Sequence, residues 1–356
     1  MIVIRKKIIL ICIAVFLCCQ GTKVNGQFLP RLFTDEHDST YIESYKHQLT
    51  TRMYASRKYT DLKFRDRGEE MTLNYHPNDR TNLGFGATYN ALTLNIGISF
   101  PLINHDDGKY GKTDYLDWQM HILMRKLAVD FYFSTYKGYY IYNPQDLFSD
   151  YTDDDVFPQR RDMLTIELGG DAYYIFNYRK FSYRAAFNQD ERQLKSAGSF
   201  LAGPSAYFIY FQGDSSLVPA NLADPDFFDG YTLKRSRYNK FSLCAGYAYN
   251  LIVKQRVFFT VSILTGAGAG LMRTYPQDDD IEGDKKFDVC LTYTFKCATG
   301  YNGKHFYAGI SYVNSSLHCP TPVPQTKFIF DAGNLRLNLA YRFPISLNPP
   351  FPLRKQ

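Results

Sequence analysis

The chain has 356 residues, of which 45% are hydrophobic and 21% charged, and a formal net charge of +6. That charge is small and partly carried by the first few residues, so no nucleic-acid partner is expected. Aromatic residues reach 17%, with 30 Tyr and 28 Phe against a single Trp, and the apolar body and wet tip of Tyr suit a boundary between oil and water.

Arg5, Lys6 and Lys7 precede an apolar run from Ile8 to Cys18, and Val24-Asn25-Gly26 offers small-residue cleavage before Gln27. This is the pattern of an export signal over residues 1–26. An apolar run of about 11 residues is well short of the ~20 that a retained membrane anchor needs. Cys18 and Cys19 raise a lipoprotein alternative, against which Phe16 and Leu17 stand where small residues are wanted. Residues 27–48, including Asp35-Glu36-His37-Asp38-Ser39-Thr40, show no period and read as a flexible periplasmic lead-in. A barrel domain is expected over 49–344 and a tail over 345–356.

From residue 50 onward the dominant signal is period two. The segments 50–56 and 71–75 show it weakly. Residues 92–100 show it plainly, with Leu92, Leu94, Ile96, Ile98 and Phe100 on one face against Thr93, Asn95, Gly97 and Ser99. Further runs lie at 83–89, 115–124, 127–136, 163–176, 181–188, 199–211, 240–250, 256–271, 287–299, 305–314 and 328–343. The last holds Leu335, Leu337, Leu339, Tyr341 and Phe343 on one face and Arg336, Asn338, Ala340 and Arg342 on the other. Counted from Leu83, this predicts an all-β, transmembrane, antiparallel up-and-down barrel of about twelve strands, with about ten to fourteen allowed.

Connections alternate between short turns and long polar loops, the outer-membrane pattern. The alternation fails in the middle: with 189–196 as an outer loop and 199–211 as one strand, the loop 214–237 falls on the periplasmic side and the later short turns land outside. One element between Arg161 and Arg237 is therefore misread. A soluble sandwich also alternates, but the polar faces here carry small residues, such as Gly266, Gly268 and Gly270, which suit a crowded barrel interior. Bilayer hydrocarbon offers backbone no hydrogen bonds, so strands cross it only as a closed barrel.

Several segments resemble a family of exported outer-membrane-type proteins known only as a domain of unknown function in Gram-negative gut bacteria. The likeness is carried by Tyr75-His76-Pro77-Asn78, Tyr110-Gly111-Lys112-Thr113, Asp130-Phe131-Tyr132, Tyr136-Lys137-Gly138, Tyr174-Ile175-Phe176-Asn177, Phe181-Ser182-Tyr183-Arg184 and Gln193-Leu194-Lys195-Ser196-Ala197-Gly198-Ser199-Phe200. The resemblance implies family and outer-membrane location; it brings no activity, cofactor or ligand.

Polar-face charges Asp130, Glu167, Asp288, Lys296, Arg336 and Arg342 are expected to point into the lumen, because an ionised group facing lipid costs several kcal/mol. They line a solute path or form a network that plugs a narrow barrel. Gln193, Lys195 and Ser196 are candidates for a lumen constriction or a capped loop. His121, in phase with Asp117 and Gln119, faces inward, but no Gly-x-Ser-x-Gly elbow accompanies it and no catalytic residue is assigned. Asp153-Asp154-Asp155 and Asp278-Asp279-Asp280 lack the spaced ligands of a calcium loop. No CxxC pair exists among Cys244, Cys290, Cys297 and Cys319, so neither metal nor cofactor is predicted; a Cys244–Cys290 disulfide and free thiols both remain open. The expected partners are outer-membrane lipid and a small polar solute that passes or binds. The alternatives are a non-conducting structural or surface-interaction barrel and, more remotely, a barrel hydrolase.

Overall fold

Leu335, Leu337 and Leu339 stand 45, 52 and 46% exposed, while Asn338, Ala340 and Arg342 between them are buried. In this computed structural model, the oily face of the closing strand looks outward. The structure describes residues 34–344 without 69, 90–91, 100–105, 153–155, 221, 223–225 and 277–282. The export signal, the C-terminal tail and both Asp triplets lie outside the described residues.

The chain runs through β1 (Ile42–Ser44), β2 (Leu49–Asp66), β3 (Thr72–His76), β4 (Thr81–Tyr89), β5 (Leu92–Ser99), the short helix α1 (Asp107–Tyr110), β6 (Asp114–Leu123), β7 (Leu127–Ile141) and β8 (Gln159–Ile175). There follow α2 (Tyr183–Phe187), β9 (Glu191–Gln193), β10 (Ala197–Gln212), β11 (Leu233–Val253), β12 (Val257–Pro276), β13 (Asp284–Asn302), β14 (Phe306–Pro320) and β15 (Thr326–Phe343). No described helix is long and apolar enough to cross a membrane.

Ten strands close an antiparallel ring in the order β2, β3, β7, β8, β10, β11, β12, β13, β14, β15, with β15 returning to β2. Closure through β15 and β2 is extensive, from Thr326 opposite Asp66 to Phe343 opposite Leu49. Closure through β3 is brief, since it meets β7 only at Tyr75 and His76. Beside β3, the hairpin β4–β5 hangs on the lower part of β2 and β6 hangs on β7. Among the described residues the sheet therefore has thirteen strands, ten in the ring and three extra, which corrects the expected twelve.

The run 181–188 is not a strand. Its centre is α2, opened by Ser182, whose hydroxyl accepts the Ala185 amide at 3.1 Å. With that strand removed, the segment 176–196 joins β8 to β10 at the short-turn end, and the loop 213–232 moves to the long-loop end. This resolves the sidedness conflict in the sequence. The described part of the expected flexible lead-in is also folded, because β1 pairs with β9 and Ile42 is buried.

Outward side chains form an apolar belt, for example Phe241, Leu243, Tyr247, Tyr249 and Leu251 on β11 and Val257, Phe259, Val261 and Ile263 on β12. Toward the long-loop end the outward positions become Arg57, Arg237, Arg273 and Lys285, all exposed. The belt ends there.

The lumen is filled in layers. At the long-loop end, inward apolar side chains such as Phe64, Phe211 and Phe328 meet Leu217, Phe227 and Phe228 from the loop 213–232. Phe211 and Phe328 stack at 4.8 Å, and Asp66 accepts the Phe228 amide at 2.8 Å, tying the loop inside the wall. At the short-turn end β1, α2 and β9 form a plug. All four cysteines of the barrel domain are free thiols.

Candidate functional site

The plug is held by wall side chains that satisfy its backbone. Arg342, fully buried, donates to the Gln189 carbonyl at 2.6 and 2.8 Å, to the Gly303 carbonyl at 2.6 Å and to Asn302 Oδ1 at 2.8 Å. Asn302 donates in turn to the Ala185 and Glu191 carbonyls at 3.0 and 3.1 Å, and Tyr307 to the Ala186 carbonyl at 2.8 Å. From the turn between β6 and β7, Arg125 pairs with Glu191 of the plug, and within the plug Arg184 pairs with Asp190. Buried charges survive only when paired or fully hydrogen-bonded.

Gln193 belongs to this plug. Its Oε1 accepts from the Ser182 amide at 2.9 Å and from Asn250 at 3.2 Å, and its Nε2 donates to the carbonyls of Lys180 and Lys195. Lys195 lies over the Tyr41 ring at 5.1 Å, and Ser196 Oγ accepts the Ile252 amide at 2.9 Å. These three residues brace the short-turn end.

Between plug and apolar layer lies a cavity of about 520 Å³, inside the range of about 300–1,000 Å³ typical of small-molecule sites. Across it, Asp130 on β7 pairs with Lys296 on β13. These strands are half a circuit apart in the ring, so the pair spans the lumen as a strut. The other carboxylate oxygen of Asp130 meets His121 Nδ1 at 2.7 Å. Asp117 binds Lys58 at 2.8 Å and accepts the Tyr136 hydroxyl at 2.7 Å.

Arg336 is different. Its guanidinium lies 4.7 Å from the Tyr54 ring centroid, its Nε is buried without an acceptor, and among the described residues it has no hydrogen-bond or ion-pair partner. Arg52, on the same cavity, spends one terminal nitrogen on Thr88 and the Asn188 carbonyl and leaves its Nε unpartnered. The cavity lining thus carries Arg52, Lys58, Lys296 and Arg336 against Asp117 and Asp130. Lys58 and Lys296 are paired with Asp117 and Asp130, whereas among the described residues neither Arg52 nor Arg336 has a carboxylate within ion-pair distance.

Of the sequence candidates, Asp130, Lys296 and Arg336 come together on the cavity. Glu167 is buried in the wall beside it, accepting the Ser134 hydroxyl at 2.9 Å. Arg342 serves the plug. Asp288 shares the inward phase but sits near the rim, half exposed and 3.8 Å from Lys286. Arg52, Lys58 and Tyr54 were missed, although their even positions on β2 were a readable signal. Among the described residues no cluster of His, Cys, Asp or Glu is arranged to hold a metal ion.

The model for the family described as Domain of unknown function (DUF4421) matches residues 36–343. The chain belongs to this family. No curated protein matches the sequence. Among solved structures, this DUF4421 chain is similar to the outer membrane protease OmpT of Escherichia coli, at 8% identity over 85% of this chain and 98% of that one, with a TM-score of 0.36. It is similar also to the outer membrane protein OprG of Pseudomonas aeruginosa, at 8% identity over 84% and 98% with a TM-score of 0.24. The toluene transporter TodX of Pseudomonas putida gives 6% identity over 88% and 100%, with a TM-score of 0.27.

Proposed function

We propose that this chain is an integral outer-membrane barrel that binds a small anionic solute in its mid-lumen cavity and does not conduct along its axis. Membrane insertion is supported by the outward apolar belt on a closed wall. In water such a belt would expose far more contiguous apolar area than soluble proteins tolerate, whereas in lipid it is the required surface. The observation that carries the binding role is the unpaired Arg336 guanidinium beside Arg52 in the cavity. A carboxylate is the natural bidentate partner of an arginine fork. The layers filling both ends support binding over axial passage.

A binding role is favoured over a catalytic one by the contacts of His121. Its one bonded carboxylate is shared with Lys296, and among the described residues no hydroxyl or thiol is hydrogen-bonded to its ring.

The test is calorimetric titration of the detergent-purified barrel with sodium butanoate as the anion. Saturable binding is expected, and Arg336→Gln is expected to weaken it at least about tenfold, a loss of about 1.4 kcal/mol. Equal affinity in the variant, or no binding in the folded wild type, would refute the site.

A further inference from the structure

In β5, Asn95 and Gly97 face the lumen and Leu94 faces out; in β6, Asp117, Gln119 and His121 face the lumen and Trp118 and Met120 face out. All of them line the one cavity. Side chains of successive residues point to opposite faces of a wall, so a single space reaches both faces only by passing between the strands. Consistent with this, among the described residues no sheet pairing joins β5 to β6: β5 pairs with β4 and β6 with β7. The ring is closed beside them by β3, so the seam is a gap in the lower wall and not a break in the barrel.

The two sides of the seam differ in chemistry. Outside it stand Leu94, Trp118 and Met120, exposed at 63, 53 and 39%. Inside are the unpaired Arg336 and the partly satisfied Arg52. An unpaired strand edge facing hydrocarbon is costly unless something occupies the opening.

Resting on the membrane placement and anion site above, we propose that the seam between β5 and β6 is a lateral doorway, and that its occupant is an anionic amphiphile with a single acyl chain. The carboxylate sits against Arg336, and the chain leaves between the strands past Leu94, Trp118 and Met120 into the surrounding lipid. A purely polar solute leaves the apolar rim unused, and an uncharged chain leaves Arg336 unmatched. The doorway also explains how a lumen closed at both ends is reached.

Trp118 is the single tryptophan of the sequence, so its fluorescence reports the seam. Wild-type barrel in a nonionic detergent is titrated with sodium dodecanoate brominated at the chain end, alongside sodium butanoate and dodecanol. The expected result is saturable quenching of Trp118, reversed by unbrominated dodecanoate but not by dodecanol, with dodecanoate binding at least about tenfold tighter than butanoate. Arg336→Gln, checked for folding by its gel mobility with and without boiling, should retain only the linear quenching of detergent partitioning. If butanoate binds as tightly as dodecanoate and quenching never saturates, the doorway is refuted while the anion site stands. If neither anion binds, both fail. The competition arm uses only the wild type, so a variant that does not fold leaves the outcome decisive.

Discussion

Asp79 sits in the loop between β3 and β4, outward and beyond the apolar belt, 3.8 Å from His76 Nε2. Burial pushes its carboxyl up to about 7; neighbouring Asp61 acts in the same direction, and His76 and Arg57 oppose it. The folded state thus holds this proton more tightly than the unfolded chain does. The stabilising contribution is complete below the ordinary value of 3.8 and is lost as pH rises through about 7. Denaturant titration is expected to show stability falling on the order of 2 kcal/mol between about pH 5 and about pH 8, and Asp79→Asn should flatten that dependence. At this scale the sequence revealed direction but not partnership. Period two placed Asp130 and Lys296 on the inner face, yet they are 166 positions apart, and nothing local marks them as a pair. Nor does any local pattern distinguish Arg342, which is saturated with acceptors, from Arg336, which has none among the described residues.

Among elements, the long alternating strands were legible because each buries one face and presents an apolar face outward. What escaped was short. The helix α2 has five residues, too few for a helical period, and Tyr183, Arg184, Ala185 and Ala186 are all buried, so it presents no polar stripe. Its aromatic and apolar residues therefore read as strand. The five-residue β3 was only weakly visible and could not be recognised as the ring-closing member. The β4–β5 hairpin is fitted to the wall through a close approach: a Cβ at Gly84 would lie 2.3 Å from the Tyr54 ring. With one pairing partner, β5 should exchange its amides well before β12, which is paired along both edges. Hydrogen exchange in detergent measures this, and equal protection of the two strands would mean the seam is closed.

Across the whole molecule, apolar side chains fill one end, a charge strut crosses the middle and a hydrogen-bonded plug fills the other end. In planar bilayers the wild type should be electrically silent. Arg342→Ala removes donors to Gln189, Gly303 and Asn302, and should cost at least about 2 kcal/mol while producing intermittent current from a still heat-modifiable barrel. Steady current through the wild type would contradict the layered interior. The contact of β3 with β7 carries a further mechanical implication. A hoop fastened by two residue pairs on one side and by eighteen on the other has its weakest link at Tyr75 and His76. Under tension or heat it should spring open there into a curved ribbon, with β15 and β2 still zipped together.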